Sequence, residues 1–358
     1  MTAVHVVLPD GIDDPARPSG GNRYDRRLCD ELTGLGWDVH ELLAPGAWPR
    51  PDTAALSRLA RSLRTVPDDA LVLLDGLIAS AAATVLVPES ARLRSVVLVH
   101  MPLGGVDVDV AAEGAVLTQA RAVVTTSLWT RDRLLDRYGL RPDRVHVARP
   151  GADLGDVVPG GPAGRRLLCV AAVAPHKGHD LLLEALGRVA HEPWSCTFVG
   201  ALDRDPPFLE RLRRQAAGSG LLDRIRFAGA QVGEPLRQEY RAADLLVLPS
   251  RLEAYGMVVT EALAVGVPVI ATRVGGVAEA LGRTVDGPPG LLVPSDDPGA
   301  LAEALGAWLR DAELRARLRR AARLRRRALE GWDATARQVA AALTGAPVPL
   351  AASRPVGP

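Results

Sequence analysis

Lysine is nearly missing from this chain. Of its 43 basic residues one is lysine, Lys177, and all others are arginine. The uniform choice of arginine reads as coding bias, so the single exception calls for a reason specific to its position. Cysteine is scarce as well: Cys29, Cys169 and Cys196 lie far apart and none forms a C-x-x-C pair. An odd count without that spacing argues against a disulfide framework and is expected of reduced, buried thiols in a cytoplasmic protein. No apolar run reaches the length of a membrane span. The opening residues lack the basic flank and apolar core of a signal peptide. Net charge is only +1, which argues against nucleic acid as a partner and leaves membrane contact at most peripheral. No G-x-G-x-x-G follows the first strand pattern, which counts against a dinucleotide-dependent oxidoreductase.

What is present is a long, regular alternation. At 358 residues the chain exceeds one ordinary core, so two domains are expected. Apolar runs at His5–Leu8, Trp37–Leu43, Ala70–Leu74, Ser95–Val99, Ala122–Thr126 and Val145–Pro150 predict buried parallel strands. Helical patterns lie between them. In the first, Tyr24, Leu28, Leu32 and Leu35 form one stripe; Ile78–Val87 predicts another helix of small residues. The run 159–164, Pro-Gly-Gly-Pro-Ala-Gly, reads as a linker. After it the alternation restarts, with strands at Leu167–Val173, Ser195–Val199, Arg224–Phe227 and Leu245–Leu248. Strand–helix repetition in both halves predicts an α/β protein with two parallel sheets, each covered on both faces. Domains are expected at 1–158 and 165–330. Asp311–Glu330 predicts an arginine-rich helix with a solvated face. A last helix falls at 331–345, and a proline-rich tail without periodicity, expected to be disordered, at 346–358.

The most informative stretch is Pro249 to Glu279. A buried strand ends at Pro249. Glu253 and Glu261 follow with seven residues between them, and Gly256 precedes an apolar-periodic run that starts a helix. Gly266 and Pro268 stop that helix. A short strand, Val269–Ala271, leads into Gly275-Gly276. Glu253 then sits in a loop at the carboxyl end of a strand, where open α/β sheets bind ligands. Glu261 lies about one helical turn beyond the helix start. Free amides from Gly256 to Val259 form an anion site between the two carboxylates.

This order of motifs resembles the retaining glycosyltransferases of family 4. The family pattern runs Pro-Ser, Glu, seven residues, Glu-Ala, a G-x-P-V-I strand and a Gly-Gly turn, and it is matched from Pro249 through Gly276. Tyr255 stands where the family usually has phenylalanine. The resemblance covers the second half nearly end to end and is loose in the first. It implies the GT-B architecture, two Rossmann-like domains facing a central cleft. The first domain would bind the acceptor and the second a nucleotide diphosphate sugar, with the last helix crossing back to the first.

By the same resemblance Lys177, in a Lys-Gly loop with Gly178, contacts the donor diphosphate. Glu253 lies by the hexose and Glu261 takes the ribose hydroxyls. Tyr255, Gly256, Met257 and Val258 line the donor. The base lies near Phe227-Ala228-Gly229, with Gly229 in its contact and Gln231 in reach. Gly20 and Gly21 open the first helix where donor phosphate or acceptor approaches the backbone; plain turn geometry is the competing reading. His100, at a strand's carboxyl end, faces acceptor and sugar, although Met101 replaces the family's aspartate. Ala172 replaces the arginine that usually pairs with the lysine, and the helix amides, Arg251 and Arg23 are the candidates to compensate. Asp107-Val108-Asp109 matches the metal-binding D-x-D of the other major glycosyltransferase fold and is read as solvent-facing, so no metal ligand and no cofactor is expected. The reading is a metal-independent retaining hexosyltransferase. Its rivals are a sugar-nucleotide epimerase or hydrolase, and an inactive sugar-nucleotide-binding protein. Acceptor, base, sugar and oligomeric state are not written in these motifs.

Overall fold

The structure is a computed structural model and describes residues 2–104 and 108–346. Asp107 and the tail from 347 onward lie outside the described residues. The chain divides into two compact units. The first comprises the described residues of Met1–Asp14, Ser19–Gly151 and Glu330–Ser353; the second those of Pro15–Pro18 and Ala152–Leu329.

The first unit holds a six-stranded sheet of β1 (Ala3–Pro9), β2 (Asp38–Ala44), β3 (Leu71–Asp75), β4 (Arg94–Val99), β5 (Ala122–Thr125) and β6 (Val145–Val147). The order is β2-β1-β3-β4-β5-β6, and every pair is parallel. β3 and β5 are buried along their whole length, as expected of strands covered on both faces. The helix Gly20–Gly34 starts at Ser19, whose side chain accepts from Asn22 N at 3.0 Å. Tyr24, Leu28 and Leu32 are buried on its core face, but Leu35 caps the helix and stays exposed. The helix expected over Ile78–Val87 is two, Gly76–Ala79 and Ala83–Glu89. Between them Ser80 turns inward and donates to buried Glu113 Oε1 at 2.6 Å. The final helix, Trp332–Thr344, belongs to this unit: Trp332 packs edge-on against Tyr24 with centroids 5.5 Å apart, and Thr335 donates to Arg149 O at 2.7 Å.

The second unit repeats the design with β7 (Arg166–Val170), β8 (Ser195–Val199), β9 (Ile225–Gly229), β10 (Leu245–Leu248), β11 (Val269–Thr272) and β12 (Gly290–Val293). The order is β12-β11-β10-β7-β8-β9, all parallel. The chain therefore leaves β7 in one direction and returns to its other side with β10. That makes the boundary between β7 and β10 the switch point, where open α/β sheets bind ligands.

The arginine-rich helix, Ala312–Arg326, is less solvated than its pattern suggests. Arg315 donates to Trp308 O and Leu309 O, Arg325 to Leu281 O, and Arg326 to Ala264 O. These carbonyls end three other helices, where intrahelical donors have run out and a cation is favoured. Arg319 donates to Gly161 O at 2.6 Å. The run 159–164 thus lies within the second unit. Buried Asp244 holds it too, accepting from Gly161 N at 2.5 Å and Arg166 N at 3.0 Å and pairing with the Arg166 guanidinium at 3.0 Å. Its carboxyl titrates below the ordinary range: burial alone would raise it, and the donors outweigh burial. Asp244→Ala orphans two amides and is expected to cost about 2 kcal/mol or more of stability. Urea unfolding measures this; an unchanged midpoint would show that the run holds its place without Asp244.

Candidate functional site

In the second unit the switch point carries the motif residues. β7 runs into a 3-10 turn, Pro175–Lys177, closed by Gly178 with φ +69°. A Cβ on Gly178 would lie 2.0 Å from Pro249 O, so only glycine lets this loop press against the end of β10. The approach brings Lys177 Nζ within 2.6 Å of Glu253 Oε1, across 76 residues of sequence. Ser250 Oγ donates to the same oxygen at 2.9 Å. Thr272 Oγ1 in turn donates to Ser250 O, and Thr272 is fully buried at the end of β11. Both ends of the ion pair are mostly buried, with side chains 22% and 13% exposed, so solvent screens it less than a surface pair.

Arg251 fastens the same two loops. Its guanidinium forks onto Asp180 at 2.8 and 3.0 Å, and it also reaches Asp296 at 2.6 Å and Pro175 O at 2.7 Å. Its amide donates to His176 O at 2.8 Å. Asp180 titrates below its ordinary value because this fork outweighs the upward push of burial. Arg251 is therefore a strut between the loops, and its planar fork is spent; it does not supply the cation missing at Ala172. Arg23 belongs to the first unit.

Glu253 is also shaped from behind. Gly275 has φ +50°, and a Cβ there would lie 1.6 Å from Glu253 O. Gly276 N donates to that oxygen at 3.3 Å. The Gly-Gly turn therefore seats the Glu253 backbone. Gly256 opens the helix Met257–Ala264 with no side-chain cap; Val259 N donates to Gly256 O at 2.9 Å, and the amides of Met257 and Val258 before it have no intrahelical carbonyl to reach. Tyr255 is buried in the apolar cluster with Leu248, Val259 and Val277, while Met257 and Val258 pack partly against it. The backbone of 255–258 is what this segment offers a ligand. Glu261 sits further along the helix and accepts from Tyr240 OH at 2.7 Å. Gly229 ends β9 with φ +74°, and its carbonyl accepts from Gly200 N. Nearby, Gln231 donates to Glu239 at 3.3 Å, and its buried Oε1 has no partner among the described residues.

In the first unit His100 follows β4. Its Nε2 lies 2.8 Å from Asp25 Oδ1 and 4.0 Å from Asp75 Oδ2. Gly21 has a specific reason: its Cβ would meet His100 Cδ2 at 3.1 Å, so the first helical turn leaves room for the ring. Gly20 begins that turn. Tyr24 packs edge-on against the ring with centroids 5.2 Å apart, and donates to Ala148 O. Asp25 and Asp75 are 2% and 4% exposed, and no motif pointed to them. The only available hint was Asp75's place at the carboxyl end of a strand beside that of His100. Burial pushes Asp25 up to about 7 and Asp75 well above its ordinary range. Burial also lowers His100, opposed by Asp75. Asp109 caps the helix Val110–Gln119, accepting from Ala112 N at 3.1 Å. The three cysteines are free and buried, and burial pushes the Cys29 and Cys169 thiols up to about 12. No described helix is long and apolar enough to cross a membrane.

The architecture is the GT-B glycosyltransferase fold. Sucrose-phosphate synthase from Thermosynechococcus elongatus superposes with a TM-score of 0.77 at 22% identity, over 95% of this chain and 98% of that one. Anabaena HepE in complex with UDP-glucose gives 0.78 at 18% identity, over 96% and 100%. Residues 162–325 match the family model of glycosyl transferases group 1. The D-inositol 3-phosphate glycosyltransferase of Frankia alni is 36% identical over 248 residues, 63% of this chain and 59% of that protein. Its counterpart in Geodermatophilus obscurus is 37% identical over 265 residues, 68% and 57%. The chain spans less than two thirds of the length of these relatives.

Two outcomes follow. Gly275→Ala is expected to displace Glu253 and cost roughly 2 kcal/mol or more; an unfolding midpoint equal to the parent's would contradict the seating. The Asp25–Asp75 pair predicts a pH effect. Both carboxyls are raised in the fold, so their contribution to stability is full below about pH 4, the ordinary carboxylate value; that of Asp25 is lost as pH rises through about 7, and that of Asp75 declines as pH rises toward its own raised value. Asp75→Asn cannot titrate at that position. Parent stability relative to this variant should fall between pH 5 and pH 8 in urea titrations, and a difference independent of pH would exclude a proton held by the pair.

Proposed function

We propose that the protein is a retaining, metal-independent glycosyltransferase that moves a hexose-type sugar from a nucleotide diphosphate sugar to a hydroxyl acceptor. The observation that carries this reading is the Lys177–Glu253 pair at the switch point, beside the uncapped helix start at Gly256 and inside the stretch matched by the family model. Breaking the anomeric bond leaves a diphosphate and an oxocarbenium-like centre, so the site must offer positive potential at the phosphates. Lys177 has two donors beyond the one spent on Glu253. The first-turn amides of the Gly256 helix add fixed partial charge. Together they take the role left open at Ala172.

Glu253 is tied by Lys177 and Ser250, an arrangement suited to holding a sugar hydroxyl and ill suited to a free nucleophile. Retention then follows from same-face transfer, in which the leaving phosphate accepts the acceptor's proton. Glu261, fixed by Tyr240, receives the ribose hydroxyls. UDP-glucose is the first donor to try, because HepE binds it, and an inositol phosphate the first acceptor, because the curated relatives are named for one.

The lone lysine makes the test direct. An amine-reactive reagent can modify only Lys177 and the N-terminal amine. UDP-glucose is expected to block labelling at Lys177 and not at the N-terminus. Product analysis should then give a glycoside of retained configuration in the presence of chelator, with turnover in Glu253→Gln lowered on the order of a hundredfold or more. Free sugar or an isomerised nucleotide sugar as the sole product would overturn the reading, as would labelling of Lys177 indifferent to every sugar nucleotide tried.

A further inference from the structure

Asp25 and Asp75 form a buried acidic pair that the reading above leaves without a role. Their side chains and that of His100 offer atoms all within 4.8 Å of one another. The nearest guanidinium, Arg26, is held by Asp13 at 2.9 Å and Glu41 at 2.5 Å. Two ionised carboxylates buried side by side without a dedicated cation would repel strongly, so the pair must take up a proton. The geometry says where it goes. Asp75 Oδ1 already accepts from Leu77 N at 2.5 Å, and an oxygen of Asp75 lies within 4.8 Å of one of Asp25. Asp25 Oδ1 faces His100 Nε2. No backbone or other side-chain donor among the described residues reaches Asp25 Oδ2, so the hydroxyl of a protonated Asp75 is what satisfies it.

We propose that Asp25 and Asp75 are positioning residues for His100: protonated Asp75 donates to the Asp25 carboxylate, which accepts Nε2–H from His100 and so fixes Nδ1 as the ring's hydrogen-bond acceptor. The groups facing Asp25 are Tyr24, Arg26, Cys29, Asp75 and His100; among them only the His100 ring offers a donor for Oδ1. Nδ1 has no partner among the described residues, and the His100 side chain is 22% exposed. An imidazole locked in this tautomer receives a hydrogen bond from a hydroxyl and cannot donate one through Nδ1. On the transferase reading, that hydroxyl belongs to a sugar or to the acceptor. This deepens that reading, yet the arrangement of protons is testable apart from it.

Histidine-selective 15N labelling of the full chain, read by long-range proton–nitrogen correlation at pH 8, reports the tautomer directly. His100→Gln identifies the peaks among seven histidines. His100 is expected as the Nε2–H form. Asp75→Asn keeps an N–H donor toward Asp25 and should preserve that form. Asp25→Asn can turn either end of its amide to the ring and should release it to a mixture. In a transfer assay Asp25→Asn should lower kcat/KM for the acceptor roughly tenfold, the worth of one hydrogen bond, with the donor KM unchanged. An Nδ1–H or mixed tautomer in the parent would overturn the proposal. So would an Asp25→Asn spectrum identical to the parent's, or one equivalent of divalent cation retained by the parent and lost from Asp25→Asn. If no sugar is transferred while the tautomers behave as stated, the functional reading fails and the positioning role stands.

Discussion

Everything at the switch point of the second sheet depends on how closely the loop after β7 meets the end of β10. Gly178 against Pro249 O sets that approach, and the Arg251 fork on Asp180 fastens it. Only then do Lys177 and Glu253 meet. A lysine and a glutamate on independent surface loops would gain little from pairing, since side-chain entropy and solvent screening offset most of the attraction. Here the loops are fastened by other groups, and the pair is mostly buried. Little entropy remains to be lost, so the two charges stand arranged before any ligand arrives.

The arginines show how one residue type is divided among tasks. On the helix Ala312–Arg326 several reach the last carbonyls of other helices, a backbone need that any long cation with planar donors can meet. Arg251 uses the same fork to bind two carboxylates. The one lysine stands where a compact ammonium with three rotatable donors can serve Glu253 and still offer donors elsewhere. Composition and geometry thus point to the same position from different directions.

The first unit follows another logic. Its candidate residue, His100, sits against a buried acid pair and a helix that begins with two glycines. Gly21 makes room for the ring, a reason internal to the protein that stands beside turn geometry and ligand approach. Asp25 follows Tyr24 on the buried side of the first helix, and Trp332 of the closing helix packs against Tyr24. The shifted titration of both acids comes from this burial.

Much of the molecule was written in the linear sequence. Apolar runs long enough to be strands and too short for helices, alternating with amphipathic patterns, determined two parallel sheets, because a strand buried on both faces leaves no polar alternation. The spacing from Pro249 to Gly276 marked Glu253 and Glu261, and composition marked Lys177. These are local properties, carried by residue type and short-range order. Only the tertiary structure decided which charges meet. Lys177 and Glu253 lie 76 residues apart, Asp25 and His100 75 apart, and no local pattern encodes a partner at that distance. It turned Arg251 from a candidate ligand into a strut and gave Tyr240 to Glu261. It also took Asp25 and Asp75 out of water. Partner choice and desolvation are set by what other segments bring to the same place, and that is where the sequence alone is silent.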